Sequence, residues 1–298
     1  MAKQGPHPDE DYQALIVLLK ALQLRDENVA GQVLTLKPQL RQKSLNQTQT
    51  TALIGAIKYS CSTEIFRELI KAPSAINAQD TEGWAAIHLT VRYNRCDLLS
   101  ILLEQKEVNL DIRTAKGESA LMLAADQGDS EMVAMLLEQG ADYLLEDLFE
   151  QGKRLPIHMA CLAGSFACVN ALLKKDPSLL EAKDGLGRTP AHYLAQSKSS
   201  NLDDKKAIAA LFLGTQLAQE CNDDVTPEEM ARYFKHDAVA DVMASKQILS
   251  LYQICQNELC RRYEKNSFKE VLEVLPEYLA ENLQKKKGRM TVCHPSLL

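Results

Sequence analysis

One short pattern recurs along this chain at a nearly constant interval, and that interval limits the fold more than anything in the composition. Its best-preserved copy is Gly187-Arg188-Thr189-Pro190-Ala191-His192-Tyr193-Leu194. With Thr189 as anchor, the matching positions upstream are Leu155, Ser119, Ala85 and Thr51, so successive anchors stand 34, 36, 34 and 34 residues apart. A second marker falls nine residues after each of the four upstream anchors, at Ser60, Asn94, Gly128 and Gly164. Eight residues beyond that come the apolar pairs Leu102-Leu103, Leu136-Leu137 and Leu172-Leu173. A period of this size means a row of like units, each burying its apolar face only against a neighbour.

The local chemistry says what one unit contains. Gly187 permits a tight turn, the Thr189 hydroxyl can accept a backbone amide as a helix N-cap, and Pro190 suits the first helical position. The second marker is where that helix must end, and the Leu pair lies on the inner face of a second helix. Each unit therefore reads as turn, helix, turn, helix.

This pattern resembles the ankyrin repeat, a β-turn plus two antiparallel helices with a T-P-L-H-x-A signature. Gly83, Gly117, Gly152 and Gly187 stand as its turn glycines, His88, His158 and His192 as its histidine, and Gly140-Ala141-Asp142 as its exit from the second helix. The resemblance implies an all-α ankyrin-repeat solenoid, with each histidine bonding the turn backbone and tying one finger to the next. Two departures stand out: Leu155 replaces the capping threonine, and the 36-residue step predicts a longer finger between Asp142 and Gly152.

In chain order, residues 1–44 read as an N-terminal capping pair of helices, Asp9–Leu24 and Glu27–Leu36, with an anchor at Ile16 that has lost its turn. Residues 45–244 read as ankyrin repeats. After Thr189, Ser197–Asn201 inserts a polar loop, Ala207–Gln219 resumes a second helix, and Thr226-Pro227 starts a degenerate last repeat. Residues 245–284 read as a helical appendage (Ser245–Tyr263 and Phe268–Leu283), and 285–298 as a basic tail.

Several function classes are excluded or disfavoured. A net charge of −6 argues against general nucleic-acid binding, which needs a basic face to displace counterions. No apolar run approaches a membrane span and the start of the chain does not resemble a signal peptide. The eight cysteines show no C-x-x-C pair, so they read as reduced thiols in a cytoplasmic protein. Histidines that recur once per repeat are not catalytic candidates, and neither Gly185-x-Gly187 nor Gly152-Lys153 completes a nucleotide-binding loop. We expect no enzyme, metal or cofactor, and a monomer.

What remains is recognition of a protein partner. Under the ankyrin resemblance the fingertips carry Trp84, Lys116, Glu118, Lys153, Arg154 and Arg188, while Arg92, Tyr93, Asp126, Gln127 and Gln196 line a concave groove. Trp84 is the single tryptophan, and Trp, Tyr and Arg are over-represented among interface hot spots. The appendage offers a second reading. Leu251, Ile254, Cys255 and Leu259, followed by Leu275, Pro276 and Leu279, are weakly similar to a SOCS box, which implies a substrate adaptor that binds the elongin B–C pair of a cullin ubiquitin ligase. The same spacing also suits a plain amphipathic cap on the last repeat. A third reading is a bacterial effector acting on host proteins in the host cytosol.

Overall fold

The computed structural model describes residues 8–44, 50–148, 152–212 and 225–244. Among them the regular structure is helical; one isolated bridge pairs Ser44 with Thr51. The chain divides into two compact units, 1–156 and 157–298.

The first unit holds α1 (Pro8–Gln23), α2 (Glu27–Leu36), a 3-10 turn (Pro38–Gln42), α3 (Ala52–Lys58), α4 (Thr63–Leu69) and the single turn α5 (Pro73–Ile76). It continues with α6 (Ala86–Arg92), α7 (Cys96–Leu103), α8 (Ala120–Gln127) and α9 (Ser130–Glu138). Helices α1, α3, α6 and α8 pack side by side as one layer, and α2, α4, α7 and α9 pack behind them as a second. In the first layer α3, α6 and α8 are buried on every face: Ala52 to Ile57, Ala86 to Val91 and Ala120 to Ala125 are all covered. A helix apolar all round belongs between neighbours instead of on a surface. Small residues allow that approach: a Cβ on Gly55 would lie 2.4 Å from Leu19 Cδ2. The outer helices bury one stripe, such as Leu98, Leu99, Ile101 and Leu102 on α7, and emptying Leu102 to alanine would cost about 2–5 kcal/mol.

The second unit holds α10 (Pro156–Ala163, entering at its second residue), α11 (Phe166–Lys175), a 3-10 turn (Pro177–Glu181), α12 (Pro190–Gln196) and α13 (Leu202–Leu211). It is followed by α14 (Pro227–Tyr233) and α15 (Asp237–Ala244). Here α12 packs on α14, and α13 on α11 and α15.

Among the described residues the same left-handed turn separates the two helices in six places. Arg25, Ser60, Asn94, Gly128, Gly164 and Lys235 have φ of 56°, 58°, 53°, 71°, 68° and 60°. After each, the next amide reaches back to close the inner helix, as in Cys61 N to Ala56 O at 3.0 Å and Arg95 N to Thr90 O at 2.8 Å. Four of these are the second markers of the sequence pattern, and Arg25 and Lys235 fall nine residues after Ile16 and Thr226. The turn is absent after Thr189, where Ser197–Asn201 intervenes. There Lys205 is buried and its Nζ donates to Ser197 O at 2.8 Å, and burial pushes its pKa down.

Three details correct the sequence reading. Gly152 is not the turn glycine of its finger: Lys153, one residue on and in register with Gly83, Gly117 and Gly187, takes the positive φ of 40°. The Thr189 hydroxyl, expected to cap with a backbone amide, lies 2.9 Å from His192 Nδ1, which also accepts Thr189 N–H at 3.0 Å. Helix α13 begins at Leu202, ahead of the expected Ala207. The expected helices Ser245–Tyr263 and Phe268–Leu283, with the box residues Leu251, Ile254, Cys255, Leu259, Leu275, Pro276 and Leu279, lie outside the described residues.

Candidate protein-binding surface

Each finger is a loop closed by one buried side chain. Asp80 Oδ1 accepts the amides of Glu82 and Trp84 at 3.1 and 2.9 Å, and Thr114 Oγ1 accepts those of Lys116 and Glu118 at 3.3 and 3.2 Å. In the second unit Asp184 Oδ1 accepts those of Leu186 and Arg188 at 2.9 and 2.8 Å. The longer finger closes from Asp147, whose Oδ1 takes the amide of Arg154, seven residues on, at 2.9 Å; the other loops span four. Successive fingers are stitched by Ala115 N to Glu82 O at 2.9 Å and Leu148 N to Lys116 O at 3.1 Å. That contact leaves no room at Gly83: its φ is +78°, and a Cβ would lie 2.5 Å from Ala115 N.

The histidines complete the scaffold. His88 Nδ1 accepts the Ala85 amide at 3.1 Å and its Nε2 donates to Ile112 O at 2.9 Å in the next finger. His192 Nε2 reaches Val225 O at 3.0 Å and His158 Nε2 reaches Ala182 O at 3.3 Å. Burial pushes the pKa of His88 and of His158 down to about 4, and lowers that of His192. These imidazoles are neutral, bonded structural pieces. The buried Cys61 thiol is pushed up to about 12 and that of Cys161 is also raised, so neither is an activated nucleophile.

The exposed residues lie where the inner helices end. At the end of α6 these are Arg92 and the capping residue Tyr93, the latter 46% exposed; at the end of α8 they are Asp126 and Gln127. Trp84, expected at a fingertip, is half-buried against this edge: the Arg92 guanidinium lies 5.1 Å above its ring, and His88 meets it edge-on at 6.0 Å. Fingertip and groove residues thus come together in one cluster. Gln127 Nε2 donates to Arg92 O at 3.4 Å. Beside them Lys116 and Lys153 are exposed and Glu118 is half-buried. Crowding by protein raises the pKa of Asp126, and nearby Glu118 pushes it the same way.

Other predicted site residues are held internally. Arg154 is tied to buried Asp147, with Nε 2.6 Å from Oδ2. In the second unit, Arg188 Nε donates to Asp184 Oδ2 at 2.8 Å, and its NH2 lies 2.9 Å from Tyr193 Oη. Gln196 Nε2 lies 3.0 Å from Met230 Sδ on α14.

The sequence reading missed residues at the same register. Eight residues past Ile16 and Thr51 stand Leu24 and Tyr59, exposed just after α1 and α3 at the register of Tyr93. Seven and eight past Thr226 stand Tyr233 and Phe234, the first 81% exposed and the two rings edge-on at 5.2 Å. The anchor spacing would have found all four. Among the described residues no three His, Cys, Asp or Glu side chains gather as a metal site requires, and no helix is long and apolar enough to cross a membrane.

Comparison with known proteins agrees with this geometry. The family model described as ankyrin repeats (3 copies) matches residues 53–147. Human ankyrin repeat and SOCS box protein 3 is 32% identical over 95 residues, 31% of this chain and 18% of that protein. The mouse nuclear factor NF-kappa-B p105 subunit is 35% identical over 80 residues, 26% of this chain and 8% of that one. Human ankyrin and armadillo repeat-containing protein is 33% identical over 136 residues, 44% of this chain and 9% of that one. The chain thus spans less than a fifth of the length of these relatives. Among solved structures, the ankyrin repeat domain of Bcl-3, a member of the IkappaB family, superposes with a TM-score of 0.60 at 22% identity, covering 76% of this chain and 97% of that one. A recurring turn, a buried inner helix and a bridging histidine lead to the same place as these matches: residues 53–147 are ankyrin repeats, and the described fold is that of an ankyrin-repeat domain.

Proposed function

We propose that the protein is a non-catalytic interaction module that holds a protein partner on the inner edge of its repeats. The observation that carries this reading is the division of labour along α3, α6 and α8. Every residue from the start of these helices is buried up to the last one or two, and there the side chains turn polar or aromatic and exposed: Tyr59, Arg92 with Tyr93, and Asp126 with Gln127. Scaffold and surface are separate residues, so the surface can vary without loss of fold. Arg92 over Trp84, with Tyr93 and Tyr59 on neighbouring helices, has the composition of an interface centre.

An affinity purification comparing wild type with a Trp84→Ala, Arg92→Ala double variant tests this. A partner retained by wild type and lost by the variant, at closely similar melting temperatures, supports the reading. Partners that bind both equally rule the groove out.

A second reading rests on a separate observation. The motif at Leu251, Ile254, Cys255, Leu259, Leu275, Pro276 and Leu279 is weakly similar to a SOCS box, and one relative of the repeats is named for such a box. On this reading the repeats select a substrate and the C-terminal segment recruits the elongin B–C pair. A pull-down of the purified chain with elongin B–C decides it: no binding at micromolar concentration sinks the adaptor reading and leaves the groove reading untouched.

A further inference from the structure

The charges at the ends of the inner helices of 1–156 are not equivalent. On α3, Lys58 is neutralised, its Nζ 3.0 Å from buried Asp80. On α6, the corresponding Arg92 makes no hydrogen bond or ion pair through its guanidinium among the described residues; it lies only over Trp84. On α8, the corresponding Asp126 likewise has no bonded partner among them, and Glu118 reinforces its negative field. Arg154, a cation whose field reaches Asp126, is paired with buried Asp147.

Arg92 and Asp126 occupy the same register on adjacent helices, yet they do not pair. The stack on Trp84 holds the guanidinium with its own finger, so both charges stay in water. An exposed cation and an exposed anion kept apart on a rigid scaffold cost little while solvated, and each favours an opposite charge brought by a partner. Lys58 and Arg154, closed off by Asp80 and Asp147, bound the open stretch on either side and offer a partner nothing comparable.

From this geometry, and resting on the groove reading above, we propose that this edge binds an extended segment of a partner protein with an acidic side chain and a basic side chain about three residues apart. The acidic group lies on Arg92, the basic group on Asp126 and Glu118, and an apolar side chain covers Tyr93. The spacing follows from physical dimensions: packed helices lie about 8–10 Å apart, and an extended chain advances about 3.3 Å per residue. Reversed, the same segment would set like charges together at both ends, so the edge also fixes the direction of the bound chain.

The test is selection of a phage-displayed random-peptide library on the immobilised full chain, followed by affinities of the selected peptides for wild type, Arg92→Glu, Asp126→Lys, Tyr93→Ala and the Arg92→Glu, Asp126→Lys double variant. Wild type is expected to enrich peptides with Asp or Glu about three positions from Lys or Arg. Each single charge reversal should weaken them roughly tenfold or more, and the double variant should bind peptides with the two charges exchanged. All the substituted residues are exposed, so the variants should keep the wild-type melting temperature. Peptides that lose affinity with Tyr93→Ala but stay within about twofold on Arg92→Glu would overturn the charge pairing and leave the groove reading standing. Peptides indifferent to every groove variant, or no enrichment at all, would overturn both.

Discussion

Each unit of this protein carries an arginine over an aromatic ring, and the two stacks have opposite fates. In 1–156, Arg92 lies 5.1 Å above Trp84, exposed and with its donors free among the described residues. In 157–298, Arg188 lies 4.9 Å above Tyr193, but the ring is 3% exposed, its hydroxyl donates to Asp184 Oδ2 at 2.7 Å, and the guanidinium donates to the same carboxylate. One stack is open and the other closed. The difference is a buried carboxylate within reach. Asp184 closes its own finger and still has an oxygen left for Arg188, whereas the spare oxygen of Asp80 is taken by Lys58 from the preceding repeat. An arginine is therefore left free or made a brace according to which acid the fold places beside it.

The closed stack should be the costlier to break. Asp184→Ala leaves the Tyr193 hydroxyl and the finger amides without their acceptor and Arg188 without its counter-ion; we expect a loss of about 3–5 kcal/mol in urea unfolding. If the loss stays below about 1 kcal/mol, the stack is an ordinary surface ion pair and the contrast fails.

Acid should weaken both units. His88 and His158 have folded-state pKa values of about 4 against an ordinary 6.5. Between those values the unfolded chain binds protons that the folded chain refuses, so stability is complete above pH 6.5 and falls as pH drops towards 4. Each histidine contributes on the order of 3 kcal/mol across that window. Unfolding at pH 7 and at pH 4.5 measures it, and His88→Gln and His158→Gln should each flatten the slope.

Tyr193→Phe keeps the ring under Arg188 but removes one hydroxyl from the triad, and should lower stability by about 1 kcal/mol. The smallest effect on folding belongs to the open stack: Arg92→Ala should change stability by no more than about 0.5 kcal/mol while weakening partner binding roughly tenfold or more. A large drop in melting temperature for Arg92→Ala would make the open stack structural too and erase the distinction.

Much of the scaffold was legible in the residues. Asn94, Gly128 and Gly164 announce left-handed turns because these residue types tolerate positive φ, and Gly83 and Gly117 mark fingers for the same reason. Arg25, Ser60 and Lys235 adopt that turn without any such preference, at about 1–2 kcal/mol each, held there by packing of the flanking helices. At the longer finger the glycine misled: Gly152 stands one residue out of register, and Lys153 takes the strained position. Tyr59, Tyr233 and Phe234 sat in plain view at the right spacing, in repeats whose turn signature was too weak to draw attention to them.

By itself the sequence determined the period, the placing of helices and the burial of the recurring histidines, because caps, turns and apolar spacing act between residues close in the chain. It also determined which positions end each inner helix and so meet solvent. Only the tertiary structure decided which of those side chains are available. Whether Arg92 is free and Arg188 bound, or Trp84 packs beneath Arg92, depends on groups brought together from different turns and helices. A repeating register carries a residue to its place, and the neighbours it finds there set what it can do.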